Sequence, residues 1–292
     1  LVDRALPSIL GFASVKANLG KLANKGFELS LNGDIIRTND FTWTSSGSFS
    51  FNRRKLKSLY GDMEDVLDEN GNVIGEKDDP KNGWFIGHDP DQIWDYEFGG
   101  VWQLGQEEEA SKYGCKPGDF RFIDQDGNGV LDDDDKTFQG YKTPRFFWSW
   151  RNEFIYKDFS LSFMLYSDIG HYDYYNHASN SGGMFDRYST YDQPRWTPEN
   201  PTNEYGRIGS YRFANYYKKK TFVRMDNISL SYAVPKDFLK KFKVQNMRIS
   251  LTARNPFTIT GWDYFDVEAT KKNRDDGLYG MRSYNISFNF TL

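Results

Sequence analysis

A single cysteine, Cys115, in 292 residues rules out a disulfide framework, CxxC redox chemistry and a cysteine-based zinc site. Histidine is nearly as scarce. His88, His171 and His177 sit in polar surroundings without metal-ligand spacing, and all three are expected at the surface. No run of about 18 apolar residues exists, so no transmembrane helix is available. That absence leaves membrane strands untouched, because they hide an apolar face in alternation. Long basic blocks are missing too: the net charge is −4, and Lys218-Lys219-Lys220 reads as solvated loop charge, so no nucleic-acid partner is expected. The N-terminal stretch beginning Leu1-Val2-Asp3-Arg4 lacks the basic and apolar regions of a secretion signal, and the chain is expected to be a section of a longer exported protein.

What is present is aromatic. Tyr, Phe and Trp make up 17% of residues, yet the hydrophobic fraction is only 38% and the mean hydropathy is −0.73, so aliphatics are the scarce class. Aromatic girdles around a polar lumen give this imbalance, and so does a carbohydrate-binding β-sandwich.

Period-two alternation separates the two. It recurs over Gly26 to Gly33, Phe41 to Phe51, Phe146 to Tyr156, Phe159 to Ser167, Thr221 to Val234, Asn246 to Arg254, and Tyr279 to Leu292. Each segment is about as long as a tilted strand needs to cross a bilayer. The connectors alternate between short (32–40, 157–158, and 235–244, read as a small basic helix) and long (52–145, 168–220, 255–278). Hairpin turns on one side of a membrane and elaborated loops on the other give that order. The pattern predicts an all-β antiparallel transmembrane barrel section of about eight strands. In the last three strands Phe222, Ile228, Leu230, Tyr232, Ile249, Leu251, Ile286, Phe288 and Phe290 are expected to face lipid. The segment Trp94 to Trp102 lies inside a long connector, so it either pairs with a second strand or stays in the outer loop.

Five segments carry a family resemblance: Asn18 to Glu28, Pro117 to Gly129, Arg195 to Pro201, Phe222 to Pro235, and Arg254-Asn255-Pro256-Phe257. In this order they resemble the C-terminal part of the SusC/RagA family of TonB-linked outer-membrane transporters of Bacteroidetes. The resemblance implies a plugged barrel of about 22 strands, whose N-terminal remainder would supply the plug and the earlier strands. It also implies import of oligosaccharide or oligopeptide across the outer membrane, with a SusD-like lipoprotein as lid and TonB-ExbB-ExbD supplying energy. The chain departs from the family in ending on Leu292 rather than Phe.

One chemical constellation stands out. Asp124, Asp126, Asn128, Asp132 and Asp135 fall at the first, third, fifth, ninth and twelfth places of a calcium loop, with Gly129 at the sixth and Leu131 at the apolar eighth. Val130 would offer its backbone carbonyl at the seventh. Hard oxygen donors suit Ca²⁺ rather than Zn²⁺ or Cu²⁺. Asp135 replaces the usual Glu, and its shorter arm predicts a structural site with affinity on the order of 10⁻⁴ to 10⁻³ M. The competing reading is an acidic surface turn.

In the long connectors, Trp94, Trp102, Tyr172, Tyr174, Tyr175, Tyr188, Tyr191 and Trp196 are candidates for contact with substrate or lipoprotein lid, and loop packing explains them equally. The competing function is a soluble, calcium-stabilised carbohydrate-binding β-sandwich. None of the 41 Asp and Glu sits in a recognisable catalytic motif, so no enzyme is expected.

Overall fold

The computed structural model describes residues 2–5, 14–17, 20–59, 65–175, 194–210, 216–263, 266–268 and 280–291. In chain order the strands begin β1 (Val2–Ala5), β2 (Ser14–Ala17), β3 (Lys21–Arg37), β4 (Phe41–Ser58), β5 (Asp65–Leu67), β6 (Val73–Glu76), β7 (Gln92–Tyr96), β8 (Phe98–Val101) and β9 (Phe120–Phe122). They continue β10 (Lys136–Tyr141), β11 (Phe146–Tyr156), β12 (Phe159–Ile169), β13 (Tyr172–Tyr174), β14 (Tyr217–Lys219), β15 (Phe222–Ala233), β16 (Asn246–Arg254), β17 (Thr258–Thr260) and β18 (Ser283–Thr291). Among the described residues are two short α-helices, α1 (Glu107–Lys112) and α2 (Lys236–Leu239). The chain forms two compact units: a loop unit of Leu1–Lys25, Asn52–Lys142 and Asn176–Tyr216, and a strand unit of Gly26–Phe51, Thr143–Tyr175 and Tyr217–Leu292.

The strand unit is one sheet, ordered β18-β16-β15-β12-β11-β4-β3, with β17 added beside β15. Each alternating segment of the sequence is a strand of this sheet, and β3 runs longer than its pattern, from Lys21 to Arg37. Short turns close it at one end, where Lys157 N–H donates to Asp40 O and Ala233 N–H to Asp158 O.

Register sorts the side chains into two faces. On one face, Phe41, Tyr156, Phe159, Tyr232, Ile249 and Phe288 form a row across six strands at the turn end. The next row is Trp43, Phe154, Leu161, Leu230, Leu251 and Ile286. At the far end Phe49, Phe51 and Phe146 cluster with ring centroids 6.0 to 6.3 Å apart. Aromatic rings thus mark both ends of this face, and the middle mixes Leu161, Leu230, Leu251 and Ile286 with Trp43 and Phe154. Ten residues of strand separate Phe41 from Phe51, roughly 33 Å of chain, which a tilt of about 40° reduces to roughly 25 Å, the height of a barrel's lipid-facing band. This face is left open: Leu230 is 44% exposed and Ile286 65%. A sandwich would bury such a face against a second sheet, so the β-sandwich alternative is overturned.

Two of the indoles on the apolar face find acceptors on that same face. Trp43 Nε1 donates to Asn152 Oδ1 at 2.9 Å, and Trp150 Nε1 to Ser45 Oγ at 3.0 Å.

The other face is hydroxylic. Cross-strand pairs Ser48–Ser149, Ser229–Thr252 and Ser231–Ser250 bond at 2.7 to 2.9 Å, each contributing about 0.2–1 kcal/mol. Thr44 Oγ1 donates to Asp34 at 2.8 Å.

One lipid-facing expectation fails. Met164 pairs with Asn227 but Leu165 with Met225, leaving Asp226 as a bulge that reverses the parity of β15. Upstream of it Val223 and Met225 take the apolar face, while Phe222 shares the polar face with Arg224. Phe222 is only 2% exposed and stands edge-on to Tyr166 at 5.7 Å. The bulge is held by the backbone: Asn255 N–H donates to Asp226 O at 2.9 Å.

The loop unit has its own small cores. Val101, Phe120 and Trp196 pack with Phe98, Phe122 and Tyr216, and Trp102 with Ala110 and Cys115. The Trp94 to Trp102 segment divides between two antiparallel pairs, β7 pairing with β10 and β8 with β9.

Candidate functional site

The acidic loop links β9 to β10 in the loop unit. Its turn is dictated locally: Gly127 and Gly129 adopt φ of 72° and 84°, conformations that side chains resist. Asp124 folds the chain around itself, accepting from Gly127 N–H at 2.7 Å, Gly129 N–H at 2.8 Å and the Tyr113 hydroxyl at 2.9 Å. Asp126 accepts from Asn128 N–H at 3.0 Å, and Asn128 Oδ1 from Val130 N–H at 2.7 Å. Asp135, fully buried, accepts from the N–H groups of Gln125 and Asp132 at 2.7 and 2.8 Å.

These bonds bring together side chains eleven positions apart. Carboxylate oxygens of Asp124, Asp126 and Asp135 lie within 4.8 Å of one another. Asn128 stays in the adjoining turn, and Asp132 caps Asp134 N–H at 3.0 Å. Partial burial works against the Asp124 charge most strongly, but the combined donors Gly129, Tyr113 and Gly127 outweigh it and hold its pKa below the usual carboxylate value. The hydrogen bond to Asp124, with burial second, raises the Tyr113 phenol above its ordinary value. Among the described residues no Lys or Arg forms an ion pair with Asp124, Asp126 or Asp135. Three clustered carboxylates with oxygen donors beside them fit a hard divalent cation.

The candidate aromatics divide by burial. Trp102 and Trp196 are 2% and 7% exposed. Arg121 lies 4.8 Å over the Trp102 ring, and Trp196 Nε1 donates to Gln103 at 2.9 Å. Trp94, half-buried, packs 4.6 Å from Phe85. In the strand unit Tyr175 is fully buried, edge-on to Trp262 at 5.6 Å, with Lys218 Nζ 4.4 Å over its ring. Tyr172 and Tyr174 lie on β13, half-buried, and Tyr188 and Tyr191 fall outside the described residues.

Two sequence expectations are corrected here. Lys220 is buried rather than solvated, bonding Asp173 at 2.7 Å above the Trp262 ring, because pairing of β13 with β14 folds it inward. His171 is buried by the same hairpin.

Arg224 was not anticipated. It is 3% exposed on the polar face, bonding Asp266 at 2.7 Å, Thr258 at 2.9 Å and Glu268, which also accepts from Tyr166 at 2.6 Å. It pins residues 266–268 to the wall, and an arginine amid Phe222, Val223 and Met225 was the available signal.

No protein-family model matches the sequence. TonB-dependent receptor P3 of Formosa agariphila is 31% identical over 283 residues, covering 94% of this chain and 28% of that protein. TonB-dependent receptor SusC of Bacteroides thetaiotaomicron is 28% identical over 270 residues, covering 88% of this chain and 25% of that protein. In structure, the RagAB peptide transporter matches with TM-score 0.71 at 23% identity over 99% of this chain and 32% of that one, a likeness of fold. The chain belongs to the SusC/RagA family of TonB-dependent receptors. It spans 28% and 25% of those two curated relatives. SusC/RagA-type receptors are outer-membrane proteins, and the relatives matched are receptors and transporters rather than enzymes. No described helix is long and apolar enough to cross a membrane, which says nothing of its strands.

Proposed function

We propose that this chain is part of the barrel wall of an outer-membrane importer for oligosaccharides or oligopeptides, working with a SusD-like surface lipoprotein and powered through TonB-ExbB-ExbD. The observation that carries the reading is the two-faced sheet: an open apolar face with aromatic rings at both ends, backed by a hydroxylic face suited to a wet lumen. The turn end then faces the periplasm, and connectors 52–145, 168–220 and 255–278 are extracellular. The N-terminal remainder of the receptor closes the barrel, since open sheet edges are not tolerated in lipid. RagAB is named a peptide importer, which supports the oligopeptide half of the proposal; the oligosaccharide half rests on the family resemblance alone. The test is genetic and biochemical. Deleting residues 176–190 from the complete receptor should weaken co-purification of the lipoprotein or abolish uptake; extraction without detergent would overturn the membrane reading.

The acidic loop extends the proposal to Ca²⁺, held by Asp124, Asp126 and Asp135; Asn128 and Asp132 would complete the set, with the Val130 carbonyl, only by turning from their present bonds toward the ion. The ion would supply structure rather than chemistry, cross-linking β9 to β10. Asp124→Ala with Asp126→Ala should abolish millimolar Ca²⁺ binding by calorimetry and leave the strand unit intact by circular dichroism. Absence of binding in the unsubstituted protein would leave an acidic turn.

A further inference from the structure

We infer that the connector between β15 and β16 docks an anionic phospholipid, an inference that rests on the membrane reading above. The segment begins at Pro235, passes through α2 and a 3₁₀ turn over Lys240–Phe242, and ends at Lys243 with φ 57°. Leu239 anchors it, 2% exposed. Phe238 and Phe242 stand outward at 55% and 62% exposure with ring centroids 5.4 Å apart. Two outward phenylalanine rings gain by leaving water, so the pair is poised for an apolar phase.

Charge surrounds the rings. Lys236, Lys240, Lys241 and Lys243 are all exposed, and Asp237 offsets Lys240 alone at 2.8 Å. Beside them a cleft of about 630 Å³ has Lys236, Met247, Arg248, Phe288 and Phe290 in its lining, together with the acidic Asp158. Met247 pairs with Phe290 and Ile249 with Phe288 on the apolar face, while Arg248, paired with Ala233 and Asn289, lies on the polar one, so the cleft draws its lining from both faces at this end of the sheet. An acyl chain lying along the apolar face reaches its headgroup beside Lys236, Lys241 and Lys243, while Phe238 and Phe242 enter the interface. A free anion would use the cations but not the rings. A lipid uses both.

The complete receptor, purified in detergent, is titrated with phosphatidylglycerol or phosphatidylcholine and examined by native mass spectrometry. Phosphatidylglycerol should be retained preferentially, and Lys241→Gln with Lys243→Gln should lower its affinity on the order of tenfold. Phe238→Ser with Phe242→Ser should weaken both lipids together. Equal retention of the two lipids, a preference untouched by the lysine changes, or stronger retention of lipid A overturns the inference. Lys243→Cys separates this failure from that of the membrane reading. A membrane-impermeant maleimide should label it only after the outer membrane is permeabilised, and labelling in intact cells means the topology itself is wrong.

Discussion

Gly118 shows how a single residue holds the loop unit together. Its φ is +87°, and a Cβ there would stand 2.4 Å from the Trp196 ring and 2.8 Å from Arg207, whose guanidinium pairs with the buried Asp119 at 2.8 Å. Left-handed strain and overpacking combine, so Gly118→Ala should cost about 2–5 kcal/mol. Hydrogen exchange should then quicken in β8 and β9 while the strand unit keeps its protection. His171 makes a pH-dependent case. Burial, with Lys220 adding repulsion against the pull of Asp173, drives its pKa down to about 4. A depressed histidine favours the fold while neutral: the contribution is full above pH 6.5 and is lost as pH falls from there toward 4. Amides of β13 and β14 should therefore exchange faster at pH 5 than at pH 7 after correction for intrinsic rates, and His171→Gln should flatten that slope. Neither residue is legible in the sequence, because both depend on partners far along the chain.

At the scale of elements, the strands were legible and the bulge was not. Alternation through Tyr284, Ile286, Phe288 and Phe290 is local, so β18 can be read without its partners. In β15 the run Phe222-Val223-Arg224-Met225 offers apolar residues at both parities, and only cross-strand register reveals that Asp226 is the extra residue. Deleting Asp226 should turn Phe222 and Arg224 to the apolar face, break the Asp266 pair, and raise the mobility of a spin label at residue 267. An unchanged label would mean that the strand slides as a whole instead. The acidic loop was readable because its donors lie within twelve consecutive residues, from Asp124 to Asp135. The small cores of the loop unit have no such period: Val101 N–H bonds Asn203 at 2.8 Å across a hundred residues of chain.

For the whole molecule, the governing fact is that each long strand has two opposite surroundings. Spin labels at Ile286 and Phe288 should be quenched by lipid-phase reagents and those at Asn285 and Ser287 by aqueous ones; the reverse would overturn the barrel. The bulge at Asp226 carries an evolutionary consequence. Within such strands a gene can gain or lose codons safely only in twos, because one codon sends every later side chain to the wrong surroundings. The connectors obey no such arithmetic and are free to drift in length. Asp226 marks the exception, a position where an odd codon is absorbed because Asn255 satisfies its carbonyl and the parity change is met by Val223 and Met225. Lineages of this wall should therefore differ by any number of residues in their loops, and by odd numbers in their strands only where a bulge takes up the difference.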